Sequence, residues 1–298
     1  MKQQTQAYAF GLAAVLCWST VAVAFKWALQ WLSPAQLLLL ANITSILVLG
    51  TILAWRRQLP QWRDLSGRIW RDSLLFGLLN PFIYYLILFK AYSLLPAQEA
   101  QTLNYTWALT MSLLAVPLLH HKLHKQDIIA AILCYCGVLV IATRGQVYDL
   151  QFGNALGVGL ALLSTVIWAL YWIFNTRDPR SPVQGLFLNF VCALPLITLY
   201  CAFNGELQSI DWRGLPAALY VGVFEMGLTF VCWLTAMKYT HSTAKISNLI
   251  FLSPCLSLIF IHIFLGETIL PSTLWGLVLI LGGLIWQQTG KKTANQAH

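Results

Sequence analysis

The chain is poor in charge. Of its 298 residues only 9% are Asp, Glu, Lys or Arg, and just 10 are acidic. A soluble domain carries about a quarter charged residues, so a water-exposed globule of this length is excluded. The scarcity also removes functions. The six histidines are not part of a metalloprotease HExxH pattern, and His120, His121 and His124 read as a wet basic loop rather than a metal site. The Gly-rich stretches from Gly153 to Gly159 and from Gly276 to Gly283 lack a phosphate-loop Lys. No ATP-binding module is recognisable, and nothing calls for a cofactor. The net charge of +8 is not gathered into a nucleic-acid reading element, so no nucleic-acid partner is expected. Cys17, Cys134, Cys136, Cys192, Cys201, Cys232 and Cys255 all lie in apolar runs with no metal-ligand spacing, which makes them packing residues.

Apolar length takes the place of charge. The hydrophobic set reaches 58%, and it falls into ten long runs. A bilayer core requires roughly 20 predominantly apolar residues per helix, and backbone groups in lipid must bond internally. The runs predict helices over residues 7–29, 35–55, 69–92, 97–118, 128–142, 153–174, 182–203, 215–237, 244–264 and 272–287. The fold class is therefore an all-α polytopic membrane protein with ten transmembrane helices, in contact with membrane lipid. The first run is longer than the apolar core of a signal peptide and lacks a polar exit, which makes it an uncleaved first span.

Lys and Arg set the orientation. With alternating spans, Lys2, Arg56, Arg57, Arg63, Arg68, Arg71, Lys122, Lys125, Arg177, Arg180, Lys238, Lys291 and Lys292 fall on one side. Only Lys26, Lys90, Arg144 and Arg213 lie near helix ends on the other. Both termini are expected in the cytoplasm. Short tails without eukaryotic sorting signals suit a bacterial inner membrane.

The chain also repeats itself. At a shift of 145 residues Gly77 matches Gly222, Ala91 matches Ala236 and Gly137 matches Gly282; at a shift of 150, Trp18 matches Trp168. Residues 7–143 and 153–289 then hold five spans each, and an odd number places the two halves in opposite orientations. Inverted five-helix repeats are a common construction of secondary transporters, with substrate at the repeat interface. An old duplication kept only for packing is the alternative.

Several short segments carry a family resemblance. They are Gly11-Leu-Ala-Ala-Val-Leu-Cys-Trp18-Ser19, Ala91-Tyr-Ser-Leu-Leu-Pro-Ala97, Ala236-Met-Lys-Tyr-Thr-His-Ser242, and Ser253-Pro254 through Phe264-Leu265-Gly266-Glu267 with the Gly-rich run after it. In order and spacing, from about Tyr8 to Gln287, the chain resembles the drug/metabolite transporter superfamily, and within it the ten-helix EamA-type permeases. Leu103-Asn104-Tyr105-Thr106-Trp107 is similar to the aromatic amino acid exporter branch, which commonly follows the Trp with Pro where this chain has Ala108. The resemblance implies export of small organic solutes, amino acids or related metabolites among them, by alternating access, and no enzymatic activity. A multidrug or quaternary-amine exporter is the alternative. A receptor, scaffold or membrane enzyme is less favoured, because no soluble module or convergent acid–base set is present.

Glu225 is the first candidate site residue. It lies near the middle of the eighth span, where an ionised carboxylate is expensive unless it meets water, a partner or a substrate. It can bind a substrate amine or carry a proton as coupling ion. Its repeat equivalent is Asn80, followed by Pro81, which can kink the third span. Together they form a symmetric frame with asymmetric charge, suited to a solute with unlike ends. Glu99 and Lys245, near the starts of the fourth and ninth spans, are a second pair of candidates, although on opposite membrane faces. Gln101, Asn104, Tyr105 and Trp107 give the fourth span a polar and aromatic face, and Asn248 extends one in the ninth. Trp18, Trp168, Tyr84 and Tyr85 can stack on a solute, although for each alone core packing is the readier explanation; Tyr85 matches Phe230 under the repeat.

Overall fold

The computed structural model describes residues 2–61, 65–120, 125–148, 153–240, 246 and 248–296, with side chains described between 3 and 287. Among the described residues the chain is helical and contains no strand. Nine helical stretches among the described residues are long and apolar enough to cross a membrane: α1 Gln3–Leu29, α2 Pro34–Trp55, α3 Gly67–Leu94, α4 Ala97–Leu119, α5 Lys125–Ala142, α6 Ala155–Asn175, α7 Pro182–Phe203, α8 Trp212–Tyr239 and α9 Asn248–Leu265. A shorter apolar helix, α10, occupies Pro271–Gln287, and its backbone stays helical to Gln296.

Local chemistry sets the ends. Ser33 caps α2 by accepting from the Gln36 amide at 3.1 Å, while the Gln36 side chain accepts from the Ser33 amide at 2.8 Å, a reciprocal capping box. Pro34 then occupies the first turn, where its missing donor is harmless. Asn154 caps α6 by accepting from the Gly157 amide at 2.8 Å. The fifth span starts earlier than the hydropathy suggests. Asp127 is buried, and its carboxylate accepts from Gln287 Nε2 at 2.7 Å, so a charged residue is carried inside the helix pair. The fourth span, expected as one helix, divides into Ala97–Asn104 and Trp107–Leu119. There the Thr106 hydroxyl donates to the Leu103 carbonyl at 2.8 Å, a local bond that competes with helix continuation. The ninth opens with a single 3-10 turn, Asn248–Phe251, before its α-helix. Arg63, His121, Lys122, His124 and Lys245 lie outside the described residues.

The chain forms two compact units, each drawing on both halves of the sequence. The first comprises Met1–Phe89 and Asp178–Leu265. Within it α1 packs on α8 and α9, α2 on α7 and the middle of α8, and α3 on α7. Arg180, in the connection between α6 and α7, ties this unit together. Its guanidinium binds both Asp178 carboxylate oxygens at 2.5–2.9 Å and donates to Ser73 Oγ of α3 at 2.5 Å and to Asn189 Oδ1 of α7 at 3.3 Å. Beside it Gly77 lies against the Asn189 carbonyl so closely that a side chain there would collide with backbone. Burial of Asp178 opposes its charge, but its bonds to Arg180 prevail and hold the carboxyl below the usual carboxylate range.

The second unit comprises Lys90–Arg177 and Gly266–His298. There α4 packs on α6, and α5 packs closely along α10. Small residues make that contact possible. A Cβ on Gly283 would stand 2.9 Å from Cys134 Sγ and 3.0 Å from the Ala130 carbonyl; one on Gly137 would stand 2.7 Å from the Gly276 carbonyl. In lipid, apolar side chains gain little by leaving one another for a helix face, so close backbone approach carries the association. Gly282, in contrast, faces open space.

Two outcomes follow from this packing. Gly283→Leu is expected to lower the melting temperature of the purified protein, with a penalty of about 1–3 kcal/mol for overpacking, while Gly282→Leu leaves it near wild type; equal melting of the two would contradict the contact. The Asp178–Arg180 contribution is complete above the ordinary Asp value of about 3.9 and is lost as pH falls through the lower folded value. The melting-temperature difference between wild type and Arg180→Gln is therefore expected to hold down to about pH 4 and to shrink as the pH falls further.

Candidate functional site

The broken middles of α3 and α8 define the candidate site, and both lie in the first unit. In α8 the segment Val221–Glu225 is a π-helical turn. The Met226 amide reaches back to the Val221 carbonyl at 3.1 Å. The Thr229 hydroxyl donates to the Phe224 carbonyl, and Gly227 leaves the helical region at φ −117°, ψ −95°. A Cβ at Gly227 would lie 2.9 Å from the Gly222 carbonyl and 3.1 Å from that of Val223, so only glycine lets the chain fold back on the turn. Ser45 of α2 donates to the Gly222 carbonyl at 2.8 Å. Backbone groups released by the break thus find side-chain partners, as membrane burial requires.

The turn presents Glu225, which is 8% exposed. Its Oε1 accepts from the Tyr85 hydroxyl of α3 at 3.1 Å. Among the described residues its Oε2 is buried without a hydrogen-bond partner. Tyr85 is itself fully buried, with its ring 4.7 Å from that of Tyr84 and 5.4 Å from that of Phe89. Tyr85 is therefore more than a stacking ring, because its hydroxyl holds one end of the carboxylate.

The repeat-equivalent position has the same design. Leu78–Ile83 is a π-helical segment of α3. Asn80 within it is extended, at φ −142°, ψ 115°, and the Asn80–Pro81 peptide is cis. A residue before proline is sterically pushed from the helical region. Asn80 is fully buried, and among the described residues neither its amide nitrogen nor its amide oxygen has a hydrogen-bond partner. Trp18 of α1 supplies aromatic surface in the same unit, 5.8 Å from Phe230 and 5.5 Å from Trp233. Asn248 is exposed at the start of α9.

The remaining candidates fall in the second unit. Glu99 is buried and accepts from Arg144 Nε at 2.8 Å, while the Arg144 side chain is half exposed. Gln101 accepts from the Tyr92 hydroxyl, and Asn104 Nδ2 donates to Ser164 Oγ at 3.0 Å. Tyr105 is buried at the break of α4, and Trp107 is half-buried just after it. Trp168 is stacked on Tyr171 at 5.9 Å. Gln101, Asn104 and Glu99 are thus bound into packing contacts within this unit.

Three features went unassigned by the sequence reading. Glu267, quoted only as part of a Gly-Glu motif, caps α4: its oxygens accept from the Ala97 and Gln98 amides at 2.8 and 3.2 Å. A carboxylate at a helix N-terminus complements the dipole and the orphan donors there. Gln98 closes the same clasp, accepting from the Leu270 amide at 2.8 Å. The Arg180 cluster was read as a loop charge. The pairing of Tyr85 with Glu225 had one signal, the position of Tyr85 opposite Phe230 in the repeat.

A family model for EamA-like transporters matches residues 5–143 and 155–287. The chain belongs to the EamA-like transporter family. That assignment makes it a transporter rather than an enzyme, a membrane-spanning helical bundle for small organic solutes. The chain is similar to an "Uncharacterized transporter" of Clostridium kluyveri, 24% identical over 97% of this chain and 94% of that one. It is also similar to the transporter YvbV of Bacillus subtilis, 26% identical over 91% and 90%. The "Aromatic amino acid exporter YddG" of Ancylobacter novellus is 25% identical over 79% and 80%. A solved crystal structure shares the fold with a TM-score of 0.67 at 22% identity, covering 94% of each chain.

The Tyr85–Glu225 bond is open to a double-mutant cycle. Tyr85→Phe and Glu225→Ala are expected to couple by about 1 kcal/mol in unfolding free energy, typical of a polar contact in a membrane bundle. Strict additivity would show that the bond contributes nothing.

Proposed function

We propose that this family member is a secondary transporter that exports solutes bearing a protonated amine, amino acids or related metabolites, by alternating access. Glu225 is the residue that meets the amine or, when the site is empty, a coupling proton. One observation carries the reading: among the described residues Glu225 Oε2 is buried and has no hydrogen-bond partner. A desolvated acceptor without a donor is costly, and a bound N–H group or a proton removes that cost. The break in α8 adds support, because discontinuous helices place substrate and ion sites in many transporters.

The same observation bears on the alternative. A quaternary ammonium has no N–H to donate and would leave Oε2 unbonded. A primary amine satisfies it directly. The geometry therefore favours amines with hydrogens over quaternary cations.

In this proposal the ten spans form two inverted repeats, residues 7–143 and 153–289. Two findings support it. The family model matches in two segments, and Asn80 and Glu225, equivalent by position, both lie in π-helical breaks. The bias of Lys and Arg supports cytoplasmic termini in a bacterial inner membrane.

Flux into proteoliposomes tests the proposal. Labelled aromatic, neutral and basic amino acids and a quaternary amine are compared with and without a pH gradient. Saturable flux of the amino-acid class is expected, and Glu225→Gln is expected to reduce it about 10- to 100-fold, the loss of a hydrogen bond to a charged group. Near-wild-type flux of every solute by folded Glu225→Gln protein would reject the role of its charge.

A further inference from the structure

We infer that Asn80 is the second pole of the Glu225 site and receives the carboxylate of a zwitterionic solute, whose ammonium group lies on Glu225. The inference rests on the proposed amine-binding role of Glu225 and adds the other end of the substrate. It starts from an asymmetry between equivalent positions. The shift of 145 residues that carries Asn80 onto Glu225 carries Tyr85 onto Phe230. Under that shift the counterpart of the Tyr85–Glu225 contact is a pairing of Phe230 with Asn80, and phenylalanine carries no hydroxyl to donate.

The consequence is visible in the bonding. Glu225 keeps one oxygen satisfied by Tyr85, whereas among the described residues Asn80 has neither amide atom satisfied, although it is fully buried. An amide side chain offers two donor hydrogens and an acceptor, and leaving them bare in a dry interior is unfavourable unless a ligand replaces the missing partner. The donors suit a carboxylate, and a neutral amide meets it without the desolvation penalty of a second buried cation. The ends of the site thus differ in sign and in hydrogen-bonding capacity, as the ends of an α-amino acid do. Aromatic surface belongs to the same unit: Phe230 pairs with Trp18 at 5.8 Å, so apolar side chains of the solute have a wall to lie against.

Matched pairs of ligands test this. L-phenylalanine is compared with 2-phenylethylamine, and L-leucine with 3-methylbutylamine; each pair differs by the carboxylate alone. Binding to the purified full-length protein in lipid nanodiscs is measured by calorimetry. Asn80→Ala is expected to weaken the amino acids about 10- to 100-fold and to leave the amines within about twofold. Phe230→Tyr, which supplies the mirror hydroxyl to Asn80, is expected to lower the amino-acid-to-amine affinity ratio in the same direction and decides the question should Asn80→Ala fail to fold. Glu225→Gln is expected to weaken both members of each pair. An unchanged ratio in folded Asn80→Ala and in Phe230→Tyr, or equal weakening of acid and amine, overturns the inference while leaving Glu225 intact. Wild-type protein that binds no member of either pair overturns the proposed amine site as well.

Discussion

A carboxylate inside an apolar helical bundle must be given partners, and the structure around Glu225 is organised by that constraint. Tyr85 supplies one hydrogen bond from α3, and no other described residue bonds the second oxygen. The supply of partners is local and specific. It needs α3 and α8 to be broken at matching depths in the sequence, because a regular helix would keep its own backbone satisfied and present fewer irregular side-chain directions. Proline after Asn80 and glycine after Glu225 make those breaks possible by different means. One removes a donor and forces an extended residue before it; the other permits close backbone contact where any side chain would collide.

The breaks in turn demand compensation from neighbours. Ser45 of α2 serves the Gly222 carbonyl, and Thr229 serves that of Phe224. The rest of the first unit holds these helices in register, with Arg180 linking the connection before α7 to both α3 and α7. The second unit uses a different device. Its α5–α10 contact is built from glycine and cysteine, and its α4 is clasped at the N-terminus by Glu267 and Gln98. Polar chemistry in this protein is thus spent on helix ends and helix breaks, and dry surfaces are joined by small residues.

Much of the fold was legible in the chain because a bilayer imposes length and composition together. Every long apolar run corresponds to a helix, and Glu225 stood out as an acidic residue among apolar neighbours. The details that escaped are those where one polar bond overrides hydropathy. Asp127 extended α5 because Gln287, far away in the chain, is its partner. Thr106 divided α4 through a bond to its own backbone. Arg144 as the partner of Glu99 was invisible because the two are brought together only by folding. Tyr85 was legible as an aromatic ring but not as a donor, since the difference between a stacking and a bonding tyrosine lies in where its hydroxyl ends.

Glu225 is proposed as a ligand-accessible carboxyl in a dry site. The most direct measurement is covalent labelling of the membrane-embedded protein with a hydrophobic carbodiimide, read at Glu225 by peptide mass spectrometry, with and without a transported amino acid. The account predicts labelling at Glu225 that falls as solute concentration rises through its binding range. Labelling of Glu225 that a transported solute does not affect would contradict it.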